Sequence, residues 1–213
     1  GMVYDSARQR LVVFGGFSSN APNYYLDDTW EWDGSVWSNP DPLQKPPARA
    51  SHGMAFDRNR AVTVLCGGYG PGTNYADLWE WDGAFWVLRA VTNGPGPRNA
   101  PLMAFDPVRG NILLHGGVMA AGSQLMNDTW SWTGTSWQQH FPATPPPVRV
   151  AAAATADLLR QRVVLHGGDY ADLFAWEWDG SEWSLRAQAS PGARAVHSMA
   201  YDPTGRRVVL FGG

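Results

Sequence analysis

Five histidines and one cysteine are the side chains in this sequence best suited to metal binding or nucleophilic chemistry. His115 and His166 each stand just before a Gly-Gly pair. Phe14, Cys66 and Phe211 take that place before the other matching pairs. A position filled by Phe, Cys and His alike reads as a packing slot, not as a ligand set. His52 and His197 share another position, Arg-x-x-His, and His140 stands alone. No His-Glu-x-x-His, Gly-x-Ser-x-Gly, phosphate loop or calcium-loop spacing occurs. The expectation is a protein that is not an enzyme and uses neither metal nor cofactor.

Tryptophan offers a different chemistry, since an exposed indole can stack on a sugar and a buried one can cement a fold. All 12 tryptophans fall in four copies of one motif: DTWEWDGSVW, DLWEWDGAFW, DTWSWTGTSW and FAWEWDGSEW, always at i, i+2 and i+7. Asp33-Gly34, Asp82-Gly83, Thr133-Gly134 and Asp179-Gly180 mark a hairpin inside each copy. A two-residue turn would set Trp30 opposite Trp37, and a four-residue loop would set Trp32 opposite Trp37. Either puts all three rings on one side of the hairpin, because side chains two apart share a face. A triad repeated in every copy is expected to pack sheet on sheet rather than to bind a ligand.

A second block recurs five times, as in MAFDRNRAVTVLCGG and MAYDPTGRRVVLFGG. Its aspartates, Asp5, Asp57, Asp106, Asp157 and Asp202, are spaced 52, 49, 51 and 45 residues apart. The repeats run over about 1–49, 50–98, 99–149 and 150–194, with a partial fifth over 195–213, in one domain covering 1–213. Each full repeat reads as four short strands: the Met-Ala-Phe-Asp segment, the apolar run ending at Gly-Gly, the Trp-Glu-Trp segment and a strand beginning at the third Trp. Gly-Gly is expected to stop the second strand, and the Asp-x-x-Arg that follows the first is expected to cap its turn.

Composition agrees with an all-β chain rich in turns: 24 Gly, 16 Pro and only 16% charged residues. The net charge of −3 argues against nucleic acid as a partner, and no apolar run is long enough to insert in a membrane. No secretory signal pattern opens the chain, and the lone Cys66 precludes an internal disulfide.

The pattern R-x-x-H-x-M-A-Y-D, V-V-L-F-G-G and D-T-W-E-W-D-G-x-x-W resembles the kelch repeat, in the form found in tandem arrays of bacterial proteins. The resemblance covers essentially the whole chain. It implies a β-propeller of four full four-stranded blades plus a partial fifth, with the first strand of each blade innermost, and a fragment of a larger ring. An open blade edge would favour self-association. Phe174 departs from the pattern, standing where the other copies have Asp28, Asp77 and Asp128. Some kelch-like propellers are sugar oxidases or sialic acid mutarotases, but the Tyr-Cys-His set of a copper oxidase has no recognisable spacing here.

Strands that alternate up and down put the short, uniform Asp-x-x-Arg and Asp-Gly turns on one face. The long connections, different in every repeat, lie on the other. Recognition usually sits on variable loops carried by a rigid scaffold. Tyr24, Tyr25, Asn74, Tyr75, Asp169 and Tyr170 are the loop candidates. Arg49, Arg98, Arg149 and Arg194 open the first strands and would either ring the channel mouth as ligand contacts or make one structural hydrogen bond per blade. The expected function is non-catalytic binding or scaffolding, with a protein partner on the loop face. The alternative is a carbohydrate-binding or carbohydrate-modifying propeller.

Overall fold

A computed structural model describes residues 1–20, 24–119, 124–168, 174–186 and 192–213, and none of these is helical. Blade 1 comprises β1 (Met2–Asp5), β2 (Arg10–Phe17), β3 (Tyr25–Trp32) and β4 (Trp37–Ser38). Blade 2 has β5 (Gly53–Asp57) and β6 (Val62–Cys66), a small loop hairpin of β7 (Tyr69–Gly70) and β8 (Thr73–Asn74), then β9 (Leu78–Trp81) and β10 (Trp86–Arg89). Blade 3 has β11 (Arg98–Asn99), β12 (Leu102–Asp106), β13 (Asn111–Met119), β14 (Gln124–Trp132) and β15 (Trp137–His140). Blade 4 has β16 (Ala153–Asp157), β17 (Arg162–His166), β18 (Ala175–Trp178) and β19 (Trp183–Leu185), and a last hairpin pairs β20 (Ser198–Asp202) with β21 (Arg207–Phe211).

Every blade is an antiparallel meander, and the four are arranged as a β-propeller. The first strands β1, β5, β12, β16 and β20 follow one another side by side. Among the described residues neither β16 nor β20 packs against β1 in the manner of neighbouring blades.

The hydrophobic core is divided into layers between blades. Val12 and Phe14 of blade 1 meet Leu65, Trp79, Trp81 and Trp86 of blade 2. Val64, Cys66 and Leu78 then meet Ile112, Leu114, Trp132 and Trp137 of blade 3. Leu113 meets Val163, Leu165 and the three tryptophans of blade 4. Alternation along each second strand sends successive side chains to opposite neighbours, which is why these strands read as unbroken apolar runs. The tryptophan triads thus act as cement in blades 2 to 4, each facing the blade before it.

The hairpin loops have four residues, not two: Trp32 pairs with Trp37, Trp81 with Trp86, Trp132 with Trp137 and Trp178 with Trp183. The reason lies in the aspartate. Asp33 Oδ1 accepts the amide N–H groups of Ser35 and Val36, both at 2.8 Å, and closes the loop from within. Asp82 and Asp179 repeat this, and Thr133 does so with its hydroxyl.

Gly-Gly does not stop every second strand. In blades 1 and 3 the strand runs on through a register shift, between Phe14 and Gly16 and between His115 and Gly117. What the glycines permit is close approach. A Cβ on Gly15 would lie 2.7 Å from the Arg49 carbonyl oxygen, and one on Gly67 2.5 Å from that of Arg98. The amides of Gly16, Gly68 and Gly168 donate to the carbonyls of Arg49, Arg98 and Arg194, tying blade 1 to blade 2, blade 2 to blade 3 and blade 4 to the last hairpin.

Candidate binding face

The uniform-turn face is consumed by its own contacts. Asp5 Oδ1 accepts the amides of Ala7 and Arg8, while Oδ2 takes the Arg8 guanidinium at 2.7 Å, as a capping Asp-x-x-Arg should. Arg8 also grips Glu31, whose carboxylate accepts the indole N–H of Trp81 from blade 2 at 2.8 Å. Blade 2 repeats the chain with Asp57, Arg60, Glu80 and Trp132. Blade 3 has Ser131 in place of the glutamate, so Trp178 donates to Asp106 instead, at 2.8 Å, and Arg109 turns to the Gly180 carbonyl. His140, solitary in the sequence, replaces the arginine of its neighbours here. Its Nε2 lies 2.8 Å from Ser131 Oγ, where Arg89 and Arg186 pair with glutamates in blades 2 and 4.

On the opposite face, Arg49 is fully buried. Its guanidinium donates to both carboxylate oxygens of Asp77, at 2.6 and 2.7 Å, to the Gly67 carbonyl and to the Pro47 carbonyl. It lies over the ring of Tyr75, 3.9 Å from the centroid. Arg98 does the same with Asp128, Gly116 and Pro95. Asp77 and Asp128 in turn accept the indole N–H of Trp79 and Trp130, as Asp28 accepts that of Trp30. Burial works against the charge of Asp128, yet the bonds from Arg98 and Trp130 hold its carboxyl below the usual range. Arg149 is buried and donates to the Pro147 and Gly167 carbonyls, and Arg194 donates to that of Gly212. All four arginines thus donate to the carbonyl of the first glycine of a Gly-Gly pair, while Arg49 and Arg98 add a carboxylate and, through their backbone bonds to the preceding blade, lock one blade to the next.

Of the loop candidates, Asn74 is buried and bridges blades 2 and 3, donating to the Val118 carbonyl and accepting from Asn99. Tyr24 and Tyr25 are different. Tyr24 is 56% exposed and stacks on Phe17, which is 65% exposed, with centroids 5.8 Å apart. Tyr25 packs edge-on against Phe17, its cross-strand partner, and against Tyr69 of blade 2. The four rings make a continuous aromatic patch over two blades. Phe17 and Tyr69 were missed by sequence reasoning; the available signal was an aromatic residue directly after the Gly-Gly of both repeats. Asp169 and Tyr170 lie outside the described residues.

The histidines sit between blades. His115 packs on Trp183 and shares a 3.1 Å contact with Thr129. Burial, reinforced by Arg149, pushes its pKa down to about 3. His52 is edge-on to Phe14 and, through burial, well below the ordinary imidazole value. His166 and His197 meet edge to face at 5.4 Å. Burial pushes the Cys66 thiol up to about 12. Among the described residues no three His, Cys, Asp or Glu side chains group as a metal site would require. No protein-family model matches this chain, and no curated protein is significantly similar to it.

Proposed function

We propose that the chain is a kelch-type propeller of the bacterial tandem kind, acting as a non-catalytic binding scaffold that takes a protein partner on its variable-loop face. The observation that carries this reading is the aromatic patch of Phe17, Tyr24, Tyr25 and Tyr69. Solvent-exposed aromatics held in fixed positions by a rigid sheet supply contact area at low entropic cost and dominate protein interfaces. Around them, Arg49 and Asn74 are committed to internal bonds and hold the loops in place. The recognition surface is therefore built from the rings, with the arginines as its foundation.

The same exposed rings favour a second reading, in which a sugar stacks on the patch. Panning a random peptide library on the protein tests the first, and a glycan array tests the second. Enriched peptides that lose binding to Phe17→Ser/Tyr69→Ser but keep it with Ser35→Ala, on the opposite face, support a protein partner. Glycan binding lost in the same double variant transfers the site to carbohydrate. Binding that ignores Phe17 and Tyr69, or no enrichment in either assay, rejects the patch as a recognition site.

A further inference from the structure

The aromatic patch is held by the segment that leads into blade 2. The Arg49 amide donates to the Leu26 carbonyl of β3, and Ala50 bridges to Tyr69, so this segment runs between the two blades whose rings meet there. Tyr25 lies at 82° to Phe17 and at 68° to Tyr69, while Phe17 and Tyr24 stack at 9°. Tyr24 takes a left-handed backbone, φ 64°, and its carbonyl accepts the Ser18 amide at 2.9 Å. A residue other than glycine is strained there, so the fold gives up some stability at a ring it presents to solvent.

The charge next to the rings is acidic. Asp27 stands two residues beyond Tyr25 on β3, with its side chain 49% exposed. Lys45 Nζ lies 3.6 Å from Asp27 and 2.8 Å from Asp41, so two carboxylates share one ammonium and the cluster keeps a net charge of −1. Arg49, further along the same segment, is buried and committed to Asp77. That interior site shows what such groups hold. The Arg49 guanidinium lies over the Tyr75 ring and donates to both oxygens of Asp77. Tyr25 and Asp27 repeat the Tyr-x-Asp spacing of Tyr75 and Asp77 in a more open setting.

We propose that the partner presents an arginine to this patch, its guanidinium lying against a tyrosine ring and bonded to Asp27. This rests on the reading of the patch as a protein-binding surface, and it names the group recognised there. A planar guanidinium suits both features, since its face stacks on an aromatic ring and its edge donates paired bonds to a carboxylate. Lys45 gives way readily, because exposed ion pairs hold weakly and its shorter contact is to Asp41. An acidic segment would meet Asp27 and Asp41 and is repelled.

An array of short random peptides, made in three versions with arginine, citrulline or glutamate fixed at the centre, tests this on the whole chain. Citrulline keeps the shape of arginine and lacks its charge. The arginine version should bind about tenfold more tightly than the citrulline version, with the glutamate version weakest. Asp27→Asn, at an exposed position, should remove that preference without moving the melting temperature. Phe17→Ser/Tyr69→Ser should remove binding of every version. Added salt should narrow the preference in the wild type, a check that needs no variant. Equal binding of arginine and citrulline peptides, lost in Phe17→Ser/Tyr69→Ser, overturns the proposal while leaving the patch a protein-binding site. An arginine preference that survives Asp27→Asn overturns it too, as does a preference for glutamate. No binding by any version overturns both this proposal and the reading beneath it.

Discussion

Replacing His115 by phenylalanine should make the protein measurably less sensitive to acid. His115 is 2% exposed and its pKa falls from 6.5 to about 3, chiefly because burial disfavours the imidazolium. The unfolded chain binds a proton near pH 6.5 that the folded chain refuses until about pH 3. The histidine's contribution is therefore complete above pH 6.5 and drains away as pH falls. At pH 5 the difference is about 1.5 pH units of unfavourable linkage, or about 2 kcal/mol, against almost nothing at pH 7. Phenylalanine suits the slot, since Phe14 already fills it in blade 1 beside Thr29 and Trp86, as His115 sits beside Thr129 and Trp183. Urea unfolding followed by tryptophan fluorescence at pH 7 and pH 5 measures the effect. The wild type should lose about 2 kcal/mol more between the two pH values than His115→Phe. His52, His140 and His197 are common to both proteins and cancel in the comparison. Equal losses would refute the assignment of a buried, proton-refusing His115.

Asp77→Asn should cost about 3–5 kcal/mol by chemical denaturation, because it leaves the buried Arg49 guanidinium without its carboxylate. Thr29→Val, nearly isosteric, strands the buried Trp86 N–H and should cost about 1–3 kcal/mol in the same assay. The equivalent indole in blade 3, Trp137, already lacks an acceptor, because Leu78 stands where Thr29 and Thr129 stand in their blades. Trp86→Ala should cost about 3–5 kcal/mol, whereas Trp37→Ala, at a 45% exposed site, should cost a monomer well under that. Similar melting-temperature shifts for the two would contradict the placement of blade 1's tryptophan side at the surface.

Much of the fold was legible because its signals are local and repeated. Alternation and apolar runs located the four strands of each repeat, and the capping aspartates of the Asp-x-x-Arg turns behaved as their spacing implied. The Phe/Cys/His slot before Gly-Gly was identified as packing from substitution among the repeats alone. Three readings needed adjustment. The Asp-Gly loops are longer than a two-residue turn, because the aspartate carboxylate caps two amides and stabilises the wider loop. The Gly-Gly pairs serve close approach of a neighbouring carbonyl, so two strands continue past them. His140, apparently isolated, belongs to a paired exchange in which Ser131 and His140 replace a glutamate and an arginine.

What the sequence determined by itself is what acts within a few residues: strand period, turn chemistry, the shared side of each tryptophan triad and the number of repeats. What only the tertiary structure decided is what each repeated group faces. Arg49, on the segment that enters blade 2, meets Asp77 of that blade, 28 residues on, and Trp81 meets Glu31 of the preceding blade, 50 residues back. The aromatic patch likewise exists only because Tyr69 of blade 2 comes beside Tyr25 of blade 1. The same three tryptophans are buried cement in blade 2, whereas in blade 1 Trp30 and Trp32 are half-buried and Trp37 is exposed, because burial depends on the neighbour that covers a side chain and not on the motif that carries it.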